Sequence, residues 1–151
     1  MGRGPTKVFC PFVLTTVLLS AAGLLLEKIR DRMKKILVVD DEPINIRIVE
    51  HILKKEEDCV AYSALDGEQA LKVLEEKPVD LILLDVKMPG MDGFETFEHI
   101  RSMCDTPILF ITADDDQDMQ QRVRTIGAQG FLIKPFAPEL LRESVHRYVH
   151  C

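Results

Sequence analysis

Beyond Met33 the chain shifts repeatedly between two patterns. Short unbroken apolar runs alternate with stretches in which apolar residues recur every three or four positions. Four of the runs end in a polar group. Ile36-Leu37-Val38-Val39 leads into Asp40-Asp41, and Leu81-Ile82-Leu83-Leu84 into Asp85. Ile108-Leu109-Phe110-Ile111 leads into Thr112, and Phe131-Leu132-Ile133 into Lys134-Pro135. A continuous run of this length between turn residues reads as a strand buried on both faces. If the strands are parallel, their polar ends meet at one sheet edge, where open α/β folds bind ligands.

The helical stretches fill the gaps. A strand over 35–40 leads to a helix from about Pro43 to Lys55, with Pro43 suited to the first turn and Ile46, Val49, Ile52 and Leu53 on one face. A second strand is expected over 58–63. Asp66-Gly67 makes a turn, and Glu68 to Glu76 a helix with Ala70, Leu71 and Leu74 inward, broken by Pro78. The third strand spans 79–85. Pro89-Gly90-Met91-Asp92-Gly93 signals a turn before a helix reaching about Met103. Pro107 opens the fourth strand. One of Asp114, Asp115 and Asp116 can cap a helix reaching Ile126, which Gly127 can end. A fifth strand over 129–133 precedes a last helix over 138–149, with Leu140, Leu141, Val145 and Val149 as its apolar positions. Five β/α units predict an α/β fold: an open, doubly wound parallel sheet with helices on both faces.

Length and charge narrow this picture. The chain has 151 residues, enough for one domain with a real core. Residues 33–151 hold 14 basic and 23 acidic residues and carry −9, against +3 for residues 1–32. An acidic domain is a poor binder of bare nucleic acid, so no direct nucleic-acid binding is expected. Cys10, Cys59, Cys104 and Cys151 are scattered, without the spacing of a zinc site or a redox pair. They read as reduced thiols, with Cys59 and Cys104 half-buried. His146 and His150, four apart, read as a solvated terminal face rather than a metal site.

The N-terminus is different. Val8 to Leu26 is a stretch of 19 residues without a charge, preceded by Arg3 and Lys7 and followed by Lys28, Arg30, Arg32, Lys34 and Lys35. As a helix it would span about 28 Å, close to a bilayer's hydrocarbon thickness. Three readings of residues 1–32 stand side by side: a mis-called start upstream of a natural one at Met33, a membrane anchor, and a signal peptide. The first is preferred, because Met33-Lys34-Lys35-Ile36 opens directly into a strand. If residues 1–32 are native, the heavier basic flank puts the domain on the cytoplasmic side of an anchor. Residues 33–151 form the expected domain.

The polar sheet edge suggests phosphoryl chemistry. Adjacent Asp40-Asp41, with Asp85 beside them, suits a hard divalent cation, best Mg²⁺. A carboxylate so shielded can act as a nucleophile toward phosphorus. Lys134 can pair with phosphoryl oxygens and Thr112 can donate a hydrogen bond to one. Each element alone has a plainer explanation, as a cap or a loop. Their order, each at the end of a buried run, argues for one site. An alternative is a Mg²⁺-dependent phosphatase with an aspartyl nucleophile, although such enzymes usually carry Asp-x-Asp on the first strand and an inserted cap. A flavin-binding module would want a phosphate-cradling loop where this chain has Asp40-Asp41-Glu42.

Four blocks carry a family resemblance: Leu37-Val38-Val39-Asp40-Asp41-Glu42-Pro43, Leu83-Leu84-Asp85-Val86-Lys87-Met88-Pro89-Gly90-Met91-Asp92-Gly93, Ile111-Thr112-Ala113 and Lys134-Pro135-Phe136. Over residues 34–150 the chain resembles the receiver domains of two-component response regulators (CheY-like). The resemblance implies the flavodoxin-like fold with strand order 2-1-3-4-5 and five helices. It makes Asp85 the phosphoacceptor. Asp41, Asp85 and the backbone carbonyl of Lys87 become Mg²⁺ ligands, with Asp40 acting through water. Thr112 and Lys134 bind the phosphoryl group, Phe131 takes the aromatic switch position, and the Lys134–Pro135 bond is cis. It further implies a sensor histidine kinase or a histidine phosphotransferase as donor. A downstream protein would read the surface of the fourth helix, fifth strand and fifth helix (α4-β5-α5), and phosphorylation could drive a homodimer. The expected protein is a stand-alone cytoplasmic switch in a phosphorelay, not an enzyme with a separate substrate. Lys87 and Asp114, each two residues past a site residue, are expected to overlook the acyl phosphate and lengthen its life.

Overall fold

The computed structural model describes residues 21–113 and 115–149. The chain divides into two compact units, Met1–Met33 and Lys34–Cys151. In the first, the described element is a helix, Ala21–Arg32, that runs past the uncharged stretch into its charged flank. Leu24, Leu25, Leu26 and Ile29 are exposed on it. Val8 to Ser20 lie outside the described residues. Among the described residues, no helix is long and apolar enough to cross a membrane.

The second unit alternates strand and helix throughout. Its strands are β1 (Lys34–Val39), β2 (Cys59–Ala64), β3 (Leu81–Asp85), β4 (Ile108–Thr112) and β5 (Gly130–Ile133). Its helices are α1 (Pro43–Lys54), α2 (Gly67–Glu76), α3 (Gly93–Met103), α4 (Gln117–Thr125) and α5 (Pro138–Val149). The sheet is wholly parallel, in the order β2-β1-β3-β4-β5. With the N-terminal helix, six helices are described in the chain, five of them in this α/β unit.

Three of the unbroken apolar runs become the central strands β1, β3 and β4, which are covered on both sides, whereas Phe131-Leu132-Ile133 becomes the edge strand β5, where Leu132 alone is buried because an edge strand has a neighbour on one side only. Every residue of β3 and β4 is buried. Period-two alternation divides the side chains between two cores. Leu37, Val39, Ile82, Leu84, Ile108 and Phe110 face one, with Ala70 of α2, Phe97 and Ile100 of α3 and Val123 of α4. Ile36, Val38, Leu81, Leu83, Leu109 and Ile111 face the other, with Ile46, Val49, Ile52 and Leu53 of α1 and Leu141 and Val145 of α5.

Local chemistry sets the element ends. Asp66, Asp92 and Asp116 cap α2, α3 and α4, each accepting from a backbone N–H of the first turn. Gly127, just past α4, has φ +84°, a conformation that costs glycine little. The third strand begins at Leu81, two residues later than expected, because Asp80 is engaged in a joint with Lys35. Its N–H donates to the Lys35 carbonyl (2.7 Å) and its carboxylate accepts from the Lys35 N–H (2.8 Å). Leu140 is not part of the core as expected; it is 45% exposed. The stripe that α5 buries runs through Leu141, Ser144 and Val145, and Leu140 lies about 100° away from Leu141 around the helix.

Candidate functional site

The C-terminal ends of β1, β3, β4 and β5 converge as one edge. Asp40 follows β1, its N–H donating to the Ala64 carbonyl (3.1 Å). Asp85 ends β3 and pairs in register with Ile111, one residue before Thr112. Thr112 pairs with Ile133, and the Lys134 N–H donates to the Thr112 carbonyl (2.7 Å). The register of parallel strands therefore brings Asp40, Asp85 and Lys134 together at one sheet edge, with Thr112 at the end of the neighbouring strand, and Asp41 adds a third carboxylate.

Burial makes this cluster chemically tense. Asp40, Asp85 and Thr112 are 4%, 7% and 1% exposed. Carboxylate oxygens of Asp40, Asp41 and Asp85 all lie within 4.8 Å of one another, and among the described residues they form the one group able to hold a metal ion. Burial pushes the Asp85 carboxyl up to about 6; Lys134 counters that rise, and Asp40 and Asp41 add to it. Three oxygen donors short of positive charge fit a hard divalent cation such as Mg²⁺.

Lys134 supplies part of the missing charge. Its ammonium sits 2.7 Å from Asp40 Oδ2 and 3.6 Å from Asp85 Oδ1. The other Asp40 oxygen, Oδ1, accepts from the Glu42 N–H (2.9 Å) and from Asn45 Nδ2 (3.4 Å). Asp40 thus also ties down the start of α1. The residues alone gave no role to Asn45; its one sequence signal is its place in the first turn after Asp40-Asp41. A cavity of about 370 Å³ opens beside this pair, lined by Val39, Ile48, Val49, Ala113, Pro135 and Phe136 among others. The Lys134–Pro135 peptide is cis.

The approach to Asp85 is fixed by Gly93. Its N–H donates to the Val86 carbonyl (2.8 Å). A Cβ at this position would meet the Asp85 carbonyl oxygen and lie 2.7 Å from Val86 Cα. Only a glycine lets α3 start so close to the strand that carries Asp85. Lys87 is exposed and lines a second cavity with Met88, Asp92, Phe94, Met119 and Arg122. Asp114 lies outside the described residues.

Phe131 is half-buried on β5, in register with Phe110. The guanidinium of Arg124 lies 5.8 Å from its ring centroid. Sequence reading missed that contact, because Arg124 lies on the preceding helix. At the far end of the sheet His146 sits 3.4 Å from both Lys34 Nζ and Glu56 Oε2, within an ion network that includes Asp58 and Arg142. His150 lies outside the described residues. Cys59 and Cys104 are free and half-buried.

Comparison with known proteins agrees with this geometry. Residues 36–146 match the family described as response regulator receiver domain. The transcriptional regulatory protein YvrH of Bacillus subtilis (strain 168) is 39% identical over 103 residues, covering 68% of this chain and 44% of the relative. The probable transcriptional regulator ycf27 of Cyanidium caldarium is 38% identical over 117 residues, covering 76% and 45%. This chain therefore spans less than half the length of either relative. Their names lend no support to the expectation that direct nucleic-acid binding is absent. Among solved structures, the chemotaxis protein CheY4 of Vibrio cholerae, crystallised at low pH, superposes with a TM-score of 0.72 at 35% identity, covering 77% of this chain and 98% of that one.

Proposed function

Since the chain belongs to the response regulator receiver domains, we propose that it is a phosphorylation switch whose acceptor is Asp85. The observation that carries this reading is the approach of the Lys134 ammonium to a buried carboxylate that two further aspartates flank.

The donor is a phosphohistidine on a sensor histidine kinase or a histidine phosphotransferase. An Asp85 carboxylate oxygen attacks the phosphorus, the bond between phosphorus and the imidazole nitrogen breaks, and an acyl phosphate remains on Asp85. Asp40, Asp41, Asp85 and the Lys87 carbonyl are the groups that would hold Mg²⁺. When bound, the ion neutralises the carboxylates and offsets the charge of the incoming phosphoryl group.

The chain's own groups do the rest. The Lys134 ammonium, at rest on Asp40, pairs with the new phosphoryl oxygens. The Thr112 hydroxyl donates to one of them. Drawing Thr112 inward vacates space beneath it, and Phe131 turns into that space. The surface of α4, β5 and α5 changes, and a downstream protein, or a second copy of the chain, reads it. This is a shift between two pre-existing populations. Lys87 and Asp114 restrict the water that would hydrolyse the acyl phosphate and so set its lifetime. The domain of residues 33–151 acts as a switch and not as an enzyme turning over a separate substrate.

Borohydride trapping tests the assignment. An acyl phosphate on aspartate is reduced to homoserine, and peptide mapping after exposure to acetyl phosphate and Mg²⁺ should find homoserine at position 85. Homoserine at Asp40 or Asp41, or at no position, overturns it.

A further inference from the structure

We infer that Arg124 is a positioning residue for Phe131, holding the ring in its half-buried resting position; this rests on the reading of Phe131 as the switch given above. The guanidinium lies 5.8 Å from the ring centroid, within the roughly 6 Å range in which a cation is attracted to a ring face. Arg124 is exposed, whereas Phe131 packs against the buried cluster containing Phe110 and Val123.

The backbones on both sides of this contact are pinned. Val123, 1% exposed, anchors α4 in the core. The neighbouring Arg122 lies over the Phe94 ring at 3.8 Å and ties α4 to the start of α3. The Gly127 N–H donates to the Arg124 carbonyl (3.2 Å), and the Gln129 N–H donates to the Ile108 carbonyl (3.0 Å) just before β5. With both backbones held, the contact depends on two side chains alone.

A Phe131 ring turned toward Thr112 gives up the guanidinium. An exposed arginine does not follow it, because an unpaired charge is costly in an apolar interior. Arg124 therefore favours the outward ring and opposes the activated state. A surface contact of this kind shifts the ratio of the two states by about two- to fivefold. Phenylalanine has no hydroxyl with which to fix its own outward position, which leaves the cation as the described polar contact of this ring.

Ring NMR on the full chain with ¹³C-labelled phenylalanine tests this, with the Phe131 signal assigned through Phe131→Leu. Spectra are taken with Mg²⁺, with and without beryllofluoride as an acyl-phosphate mimic. In Arg124→Ala the resting signal should move toward the inward position, and the apparent affinity for beryllofluoride should tighten about two- to fivefold, because less of the competent state is withheld. Arg124→Lys, which keeps the charge, should fall between that variant and the parent. If the parent signal moves with beryllofluoride but Arg124→Ala binds it equally or more weakly, the role of Arg124 is overturned and the switch reading survives. If the parent signal does not move at all, the switch reading falls and the role of Arg124 falls with it.

Discussion

Lys134 holds Asp40 more closely than it holds Asp85: its ammonium is 2.7 Å from the first and 3.6 Å from the second. The resting site is thus kept together by a β1–β5 ion pair beside the acceptor. Lys134→Met leaves both aspartates buried without their cation. Loss of one partner from a buried pair costs about 3–5 kcal/mol, and the partial exposure of Lys134 brings the expected loss to roughly 2 kcal/mol. Urea denaturation in chelator should show it, and Mg²⁺ should restore more stability to the variant than it adds to the parent. An unchanged midpoint would contradict the account.

Asp85 makes stability depend on pH in a definite direction. Burial, opposed by Lys134 and reinforced by Asp40 and Asp41, raises its pKa from 3.8 to about 6. Between those values the folded chain keeps a proton that the unfolded chain has released. The Asp85 contribution therefore turns more unfavourable as pH rises through this window, then levels off above about 6. Asp85→Asn should stabilise the metal-free protein by on the order of 2 kcal/mol at neutral pH, and by almost nothing below about pH 4. Thermal melts across that range in chelator check it, and added Mg²⁺ should narrow the difference.

Gly93→Ala should damage both folding and chemistry. The added methyl meets backbone at Asp85 and Val86, which has no flexible end that can swing away. Overpacking against fixed atoms costs typically 1–3 kcal/mol. The same displacement moves Asp85, so labelling by acetyl phosphate should slow along with the fall in melting temperature.

Lys87→Ala should shorten the life of the phosphorylated state. An exposed charge contact contributes up to about 1 kcal/mol, so hydrolysis should accelerate by roughly two- to fivefold. Loss of phosphoryl followed by intact mass after donor removal checks this. A variant that loses phosphate no faster than the parent removes the proposed role of Lys87.

Cys59 should alkylate slowly. Burial, helped by Asp58, pushes its thiol up to about 11, so little thiolate is present at neutral pH. Iodoacetamide labelling should proceed much faster once the chain is unfolded. Rapid labelling of Cys59 in the folded protein would contradict its described burial.

Strand positions and the sheet edge were legible in the sequence because doubly covered strands must be apolar throughout, so their polar ends stand out. The runs before Asp40, Asp85 and Thr112 show this directly. What the sequence hid are contacts between residues far apart in the chain. The Lys134–Asp40 pair joins residues 94 apart, and the phosphoryl chemistry suggested by the sheet edge directed attention to a phosphoryl partner for that lysine instead. Asn45 and Arg124 belong to surface turns of helices whose pattern speaks only of their buried faces. Leu140 misled because helical spacing alone does not separate the centre of an apolar stripe from its flank.

The central claim is that one carboxylate, Asp85, takes the phosphoryl group. Intact mass after incubation with Mg²⁺ and acetyl phosphate tests it most directly on parent and Asp85→Asn side by side. A single added phosphoryl group on the parent and none on the variant is the predicted result. Addition to both proteins, or to neither, would contradict it.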